Sequence, residues 1–107
     1  MLDETLSALA DPTRRGVIEL LRQRPRRASE LAEALEVPRP AMSRHLRVLR
    51  KSGLVSEREP EHDARVREYR LEPERFTELR GWLDEVEGFW TEQLAAFKAH
   101  AEKRRRR

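Results

Sequence analysis

The sequence contains no cysteine, which excludes disulfides, thiolate metal sites and cysteine-based redox sensing together. It has no apolar run near the roughly 20 residues that span a bilayer, and no signal-peptide core at its N-terminus. The expectation is therefore a cytoplasmic protein with no membrane partner. Catalytic apparatus is missing as well: no nucleophile stands beside a base, no glycine-rich loop is shaped to cradle phosphate, and His45, His62 and His100 are too scattered to converge on a metal. We read the chain as a non-enzyme without a cofactor. Internal repeats and low-complexity linkers are absent too.

What the chain has in quantity is charge. Of its 107 residues, 40% are charged and 37% hydrophobic, so apolar residues must be buried in narrow stripes on polar elements, which suits amphipathic helices. The length fits one domain, taken as residues 1–102, followed by a disordered basic tail at 103–107. Net charge is only +3, but its distribution is uneven. Between Val37 and Ser56 stand Arg39, Arg44, Arg47, Arg50 and Lys51 without one acid, whereas Glu72 to Glu92 holds seven acids and two arginines. One stretch is built to meet an anion.

Hydrophobic spacing orders the elements. Leu2, Leu6 and Leu9 mark a short first helix. Asp11 and Pro12 form an N-cap and first-turn pair for a second helix, with Val17, Ile18, Leu20 and Leu21 on its apolar face and Pro25 as its stop. Leu31, Ala32 and Leu35 indicate a third helix over residues 28–35. A turn over residues 36–39 containing Pro38 leads to a fourth helix starting at Arg39 or Pro40, with Met42, Leu46 and Leu49 inward and Gly53 as its C-terminal cap. Two short alternating runs, 54–59 and 66–71, suit a hairpin. Pro73 opens a long helix to about residue 100 in which Phe76, Leu79, Trp82, Leu83, Val86, Phe89, Trp90, Leu94 and Phe97 recur at threes and fours.

A short helix, a tight turn, a basic helix and a hairpin is the order of a winged helix-turn-helix. The expected fold is mainly α with a small β-hairpin, about five helices, the helix-turn-helix at 28–53, the wing at 54–71 and a C-terminal helix at 73–100. A helix fits the DNA major groove, and the preceding helix braces it. With Met42, Leu46 and Leu49 turned inward, a helical wheel places Pro40, Arg44, Arg47 and Lys51 opposite, with Arg39 and Ser43 at the flank and N-terminal end. Arg39, Ser43 and Arg44 are the candidates for base contacts, because that end enters the groove deepest. Arg47, Arg50 and Lys51 are candidates for phosphate contacts, and Arg65 and Arg67 in the wing for the flanking minor groove or phosphate. His45, beside the core stripe, reads as a packing or phosphate-bonding residue. His62 and His100 read as exposed.

The stretches LSALADPTRRGVIELL, ASELAEALEVPRPAMSRHLRVLRKSGLVSERE and RVREYRL resemble the ArsR-type winged-helix repressors. The resemblance covers residues 6–71 and implies a dimer joined by N- and C-terminal helices, operator binding upstream of a regulated operon and repression of the protein's own gene. Metal-sensing members carry paired cysteines just before the ELA segment, where this chain has Arg27 and Ser29. A second family site draws carboxylate and histidine ligands from the last helix, which here offers Asp84, Glu85, Glu87 and a distant His100, so a tetrahedral ligand set is not assembled. Pro38 stands where many relatives have a Ser or Thr that caps the recognition helix.

So polar a chain has little core left to cover the aromatic stripe of the last helix, which favours self-association. Candidate dimer residues are Leu2, Leu6 and Leu9 with Trp82, Val86, Phe89, Trp90, Leu94 and Phe97. The expected function is sequence-specific binding of a double-stranded DNA operator, an inverted repeat, by a homodimeric repressor. The rival reading is a protein-interaction module that uses the wing and the aromatic helix without specific DNA binding.

Overall fold

Asp11 separates the first two helices, and its side chain shows how. Its Oδ1 accepts from the backbone N–H of Thr13 at 2.8 Å and of Arg14 at 3.1 Å, satisfying orphan donors at the start of a helix whose first residue, Pro12, has none to offer. The bond from Arg14 is the main cause that holds the Asp11 carboxyl below its usual pKa. The computed structural model describes residues 2–59 and 66–105. In order these form α1 (Leu2–Leu9), α2 (Pro12–Gln23), β1 (Arg26–Arg27), α3 (Ala28–Ala34), α4 (Arg39–Lys51), β2 (Val55–Arg58), β3 (Glu68–Leu71) and α5 (Pro73–Arg105).

Glycine is scarce, and arginine takes over part of its task at helix ends. Neither α1 nor α2 ends on a glycine. The last carbonyls of α1 instead accept from arginines of α2: Arg14 Nε donates to Ala8 O at 2.7 Å, Arg14 Nη2 to Ser7 O at 3.2 Å and Arg15 Nη1 to Leu9 O at 2.7 Å. At the end of α2, Arg26 Nε donates to Leu20 O at 3.2 Å. A guanidinium there meets orphan carbonyls and the negative end of the helix dipole together.

The core is a single cluster: Val17, Ile18 and Leu21 of α2, Leu31 and Ala32 of α3, and Met42, Leu46 and Leu49 of α4, closed by Leu54, Val55 and Tyr69. These are the faces read from spacing, except on α1. That helix buries Thr5 and Ala8, while Leu6 stays exposed and Leu9 only packs against the margin. Small side chains on the inner face let α1 lie close to its neighbours, so the leucine stripe is not its core face. Gly16 serves a similar close approach: a Cβ there would lie 3.0 Å from a methyl of Leu35.

The sheet has three strands rather than the two of a simple hairpin, in the order β1-β3-β2 and antiparallel throughout. β1 is the pair Arg26 and Arg27 opposite Tyr69 and Glu68. The hairpin strands are also shorter than expected, at 55–58 and 68–71. The wing apex, with Arg65 and His62, lies outside the described residues.

α5 continues through Lys103, Arg104 and Arg105, so those residues are helical where a disordered tail was expected. The chain divides into two compact units, Met1–Thr77 and Glu78–Arg107. Within the first, Phe76 packs against the core. The second is the remainder of α5, and no residue of α5 is buried.

Both helices of the helix-turn-helix end in the same C-terminal motif. After α4, Leu54 N donates to Leu49 O at 3.1 Å and Gly53 N to Arg50 O at 3.0 Å, with Gly53 at φ +80°. After α3, Val37 N donates to Ala32 O at 2.9 Å and Glu36 N to Glu33 O at 3.2 Å, with Glu36 at φ 54°. Glycine adopts this left-handed backbone freely, whereas a side chain there is strained. Replacing Glu36 with glycine should therefore stabilise the protein by about 1 kcal/mol, read as a rise in thermal midpoint of roughly 4–8 °C. A fall in the midpoint would contradict the strain.

Candidate nucleic-acid interface

α4 begins directly after the turn, and its start is left open. Pro38 at the N-cap has no side chain that accepts a hydrogen bond. Pro40, inside the first turn, carries no N–H, so the orphan donors reduce to Arg39 and Ala41 before Met42 N reaches Pro38 O at 2.9 Å. A helix start of this kind attracts an anion through its free N–H groups and its dipole.

The wheel read from the sequence holds for this helix. Met42, Leu46 and Leu49 are buried, and Arg39, Pro40, Ser43, Arg44, Arg47, Arg50 and Lys51 are all exposed. Among the described residues no carboxylate pairs with Arg39, Arg44, Arg47 or Lys51. The outer face of α4 is thus a row of cations whose charge is not neutralised locally.

Arg50 differs. Its Nη1 lies 3.5 Å from Glu57 Oε1 on β2, so among the described residues it has an ion-pair partner where Arg47 and Lys51 have none. Arg67 stands beside the same strand, with Nη1 at 3.8 Å from Glu57 Oε2 and Nη2 at 3.8 Å from Glu59 Oε1. Tyr69 donates its hydroxyl to Glu57 Oε1 at 2.6 Å. Burial first, and the bond to Glu57 second, push the Tyr69 phenol above its ordinary pKa.

Two supports of α4 were not read from the sequence. His45 is half-buried, and its Nδ1 lies 3.4 Å from Arg14 Nη1, the same guanidinium that takes the carbonyls of α1. Arg14 thereby ties α1, α2 and α4 together. The available signal was an α1 with no cap of its own followed by Arg14 and Arg15. At the start of α3, Glu30 Oε1 accepts from Arg27 N at 3.1 Å, which holds the bracing helix against β1. Hydrogen bonding from that N–H is the main cause of the lowered Glu30 pKa.

The candidate dimer residues divide between the units. On α1, Leu2 and Leu9 are half-buried and Leu6 is exposed. On α5, Trp82 and Val86 retain 40% and 37% of their accessible surface, and Phe89, Trp90, Leu94 and Phe97 between 57% and 71%. On a helical wheel Trp82, Val86, Phe89, Trp90, Leu94 and Phe97 fall within an arc of about 140°. Phe89 and Trp90 meet edge to face at 6.4 Å. Among the described residues no three His, Asp or Glu side chains are grouped to hold a metal ion.

Residues 11–57, from the Asp11 cap to β2, match the sequence family described as "Bacterial regulatory protein, arsR family". The HTH-type transcriptional regulator Rv2034 of Mycobacterium tuberculosis is 43% identical over 95 residues, 89% of this chain and 83% of that protein. The transcriptional repressor SdpR of Bacillus subtilis is 30% identical over 56 residues, 52% of this chain and 62% of that protein. Among solved structures, an ArsR-like transcriptional regulator from Rhodococcus sp. RHA1 superposes with a TM-score of 0.81 at 30% identity, covering 95% of this chain and 91% of that one.

Proposed function

The chain belongs to the arsR family of bacterial regulatory proteins, and from that membership we propose that it is a homodimeric repressor whose paired α4 helices read an inverted-repeat operator. It is a DNA-binding transcriptional regulator and not an enzyme, so the rival reading without DNA binding is set aside. No described helix is long and apolar enough to cross a membrane, and the proposed place of action is the cytoplasm.

The observation that carries the proposal is the exposed row Arg39, Arg44, Arg47 and Lys51, without an ion-pair partner among the described residues, on a helix whose opposite face is fixed in the core. Arg39, Ser43 and Arg44 near the open start are assigned to base edges, with Pro40 against the groove wall. Arg47, Arg50 and Lys51 are assigned to phosphates, and Arg65 and Arg67 to the groove flank or backbone. The exposed stripe of α5, with Leu2, Leu6 and Leu9, is assigned to the dimer contact, since so wide an apolar face is covered by association. Bound over a promoter, such a dimer excludes polymerase from its own or a neighbouring operon.

The test is a titration of the protein with the DNA upstream of its own gene and with a random duplex of equal length across a salt series. Log affinity should fall with log salt at a slope of about −0.9 per neutralised phosphate, with the upstream DNA bound more tightly. A flat salt response would refute the assignment of the α4 cations.

A further inference from the structure

Glu57 occupies a place that the recognition of DNA does not account for. It sits on β2, opposite Tyr69 in the sheet register, and faces α4, β3 and the residue just before β3. Its Oε1 takes the Tyr69 hydroxyl at 2.6 Å and stands 3.5 Å from Arg50 of α4, while its Oε2 stands 3.8 Å from Arg67. The side chain of Glu57 is 22% exposed, against 49% for Arg50 and 60% for Arg67. The acid is therefore the fixed member, anchored by a charge-assisted bond from Tyr69. The guanidiniums stand on long side chains open to solvent.

We infer that Glu57 is an internal substitute for a DNA phosphate: it occupies Arg50 and Arg67 in the free protein and so lowers the sequence-independent part of DNA affinity. The inference rests on the DNA-binding reading above. A fixed carboxylate at this distance both holds the cations and repels the phosphate that would replace it. Among the described residues, Arg39, Arg44 and Arg47 have no such carboxylate partner. Glu57 sets how much backbone attraction accompanies these arginines, which keeps the regulator from being held equally well by all DNA. Its own role is one of positioning, exerted through Arg50 and Arg67.

Glu57→Gln tests this, because the amide oxygen still accepts from Tyr69 while the charge is gone. Arg67 keeps Glu59, so Arg50 is the cation set free. The variant should bind random duplex about two- to tenfold more tightly at low salt, and its slope of log affinity against log salt should steepen by about 1. Arg50→Gln separates this from a merely structural effect. As a phosphate contact, Arg50 adds to the slope in either background, but its loss should lower the slope more in the Glu57→Gln background, where the guanidinium is fully available, than in the wild type, where Glu57 holds it. An unchanged or shallower slope in Glu57→Gln overturns the inference, as does an equal effect of Arg50→Gln in both backgrounds. Wild-type protein that binds no duplex overturns the DNA-binding reading and this inference with it. Salt-dependent wild-type binding that Glu57→Gln does not steepen overturns this inference alone.

Discussion

In the proposed dimer, Phe89→Glu and Trp90→Glu together should give a chain that runs as a monomer where the wild type is expected to run as a dimer, and that binds an operator at least about 100-fold more weakly. Both side chains keep more than half of their surface open, at 57% and 59%, and they meet edge to face. Large aromatics at the centre of an interface are where association energy concentrates, at about 2 kcal/mol or more each on truncation. Placing carboxylates there adds desolvation of a charge to the lost contact. A monomer then loses the second half-site, whose contribution depends on the two α4 helices being joined. The substitutions touch none of the core cluster formed by residues of α1 to β3, so the thermal transition of that core should persist. Sedimentation measures the first effect and operator titration the second. A double variant that remains dimeric would remove the α5 stripe from the interface.

Arg44→Glu should cost at least about 5- to 150-fold in operator affinity, the equivalent of one forked base contact, with further loss from repulsion of phosphate. Arg44 is exposed and has no carboxylate partner among the described residues, so the substitution breaks no internal ion pair and the fold should be unaffected. Arg44→Lys is the informative companion. It keeps the charge but not the planar fork, so the salt slope should stay while discrimination between operator and random duplex falls. If Arg44→Lys kept full discrimination, Arg44 would be a phosphate contact and base reading would shift towards Arg39 and Ser43.

The helices were legible because their apolar stripes are regular: Met42, Leu46 and Leu49 are buried as spacing requires, and the Asp11-Pro12 start of α2 has the expected cap. α1 misled because its leucines, though evenly spaced, are not its core face. Thr5 and Ala8 bury instead, a choice made by how close α1 must lie to its neighbours rather than by hydrophobicity along the chain. β1 could not be read, since two consecutive arginines carry no alternating pattern and become a strand only through pairing with Tyr69 and Glu68. The same limit hid Glu57: its meeting with Arg50, Arg67 and Tyr69 depends on strand register and on the packing of α4 against the sheet. The candidate DNA face was legible because it needed only one helix and its inner face.

The most direct test of the account is selection of bound sequences from a pool of random DNA duplexes by the purified protein, since such a pool lets the protein choose its own operator. The expected result is recovery of an inverted repeat whose half-sites lie about 10 base pairs apart, or a multiple of that spacing, as two α4 helices in successive major grooves demand. A recovered pool no different from its input would contradict it.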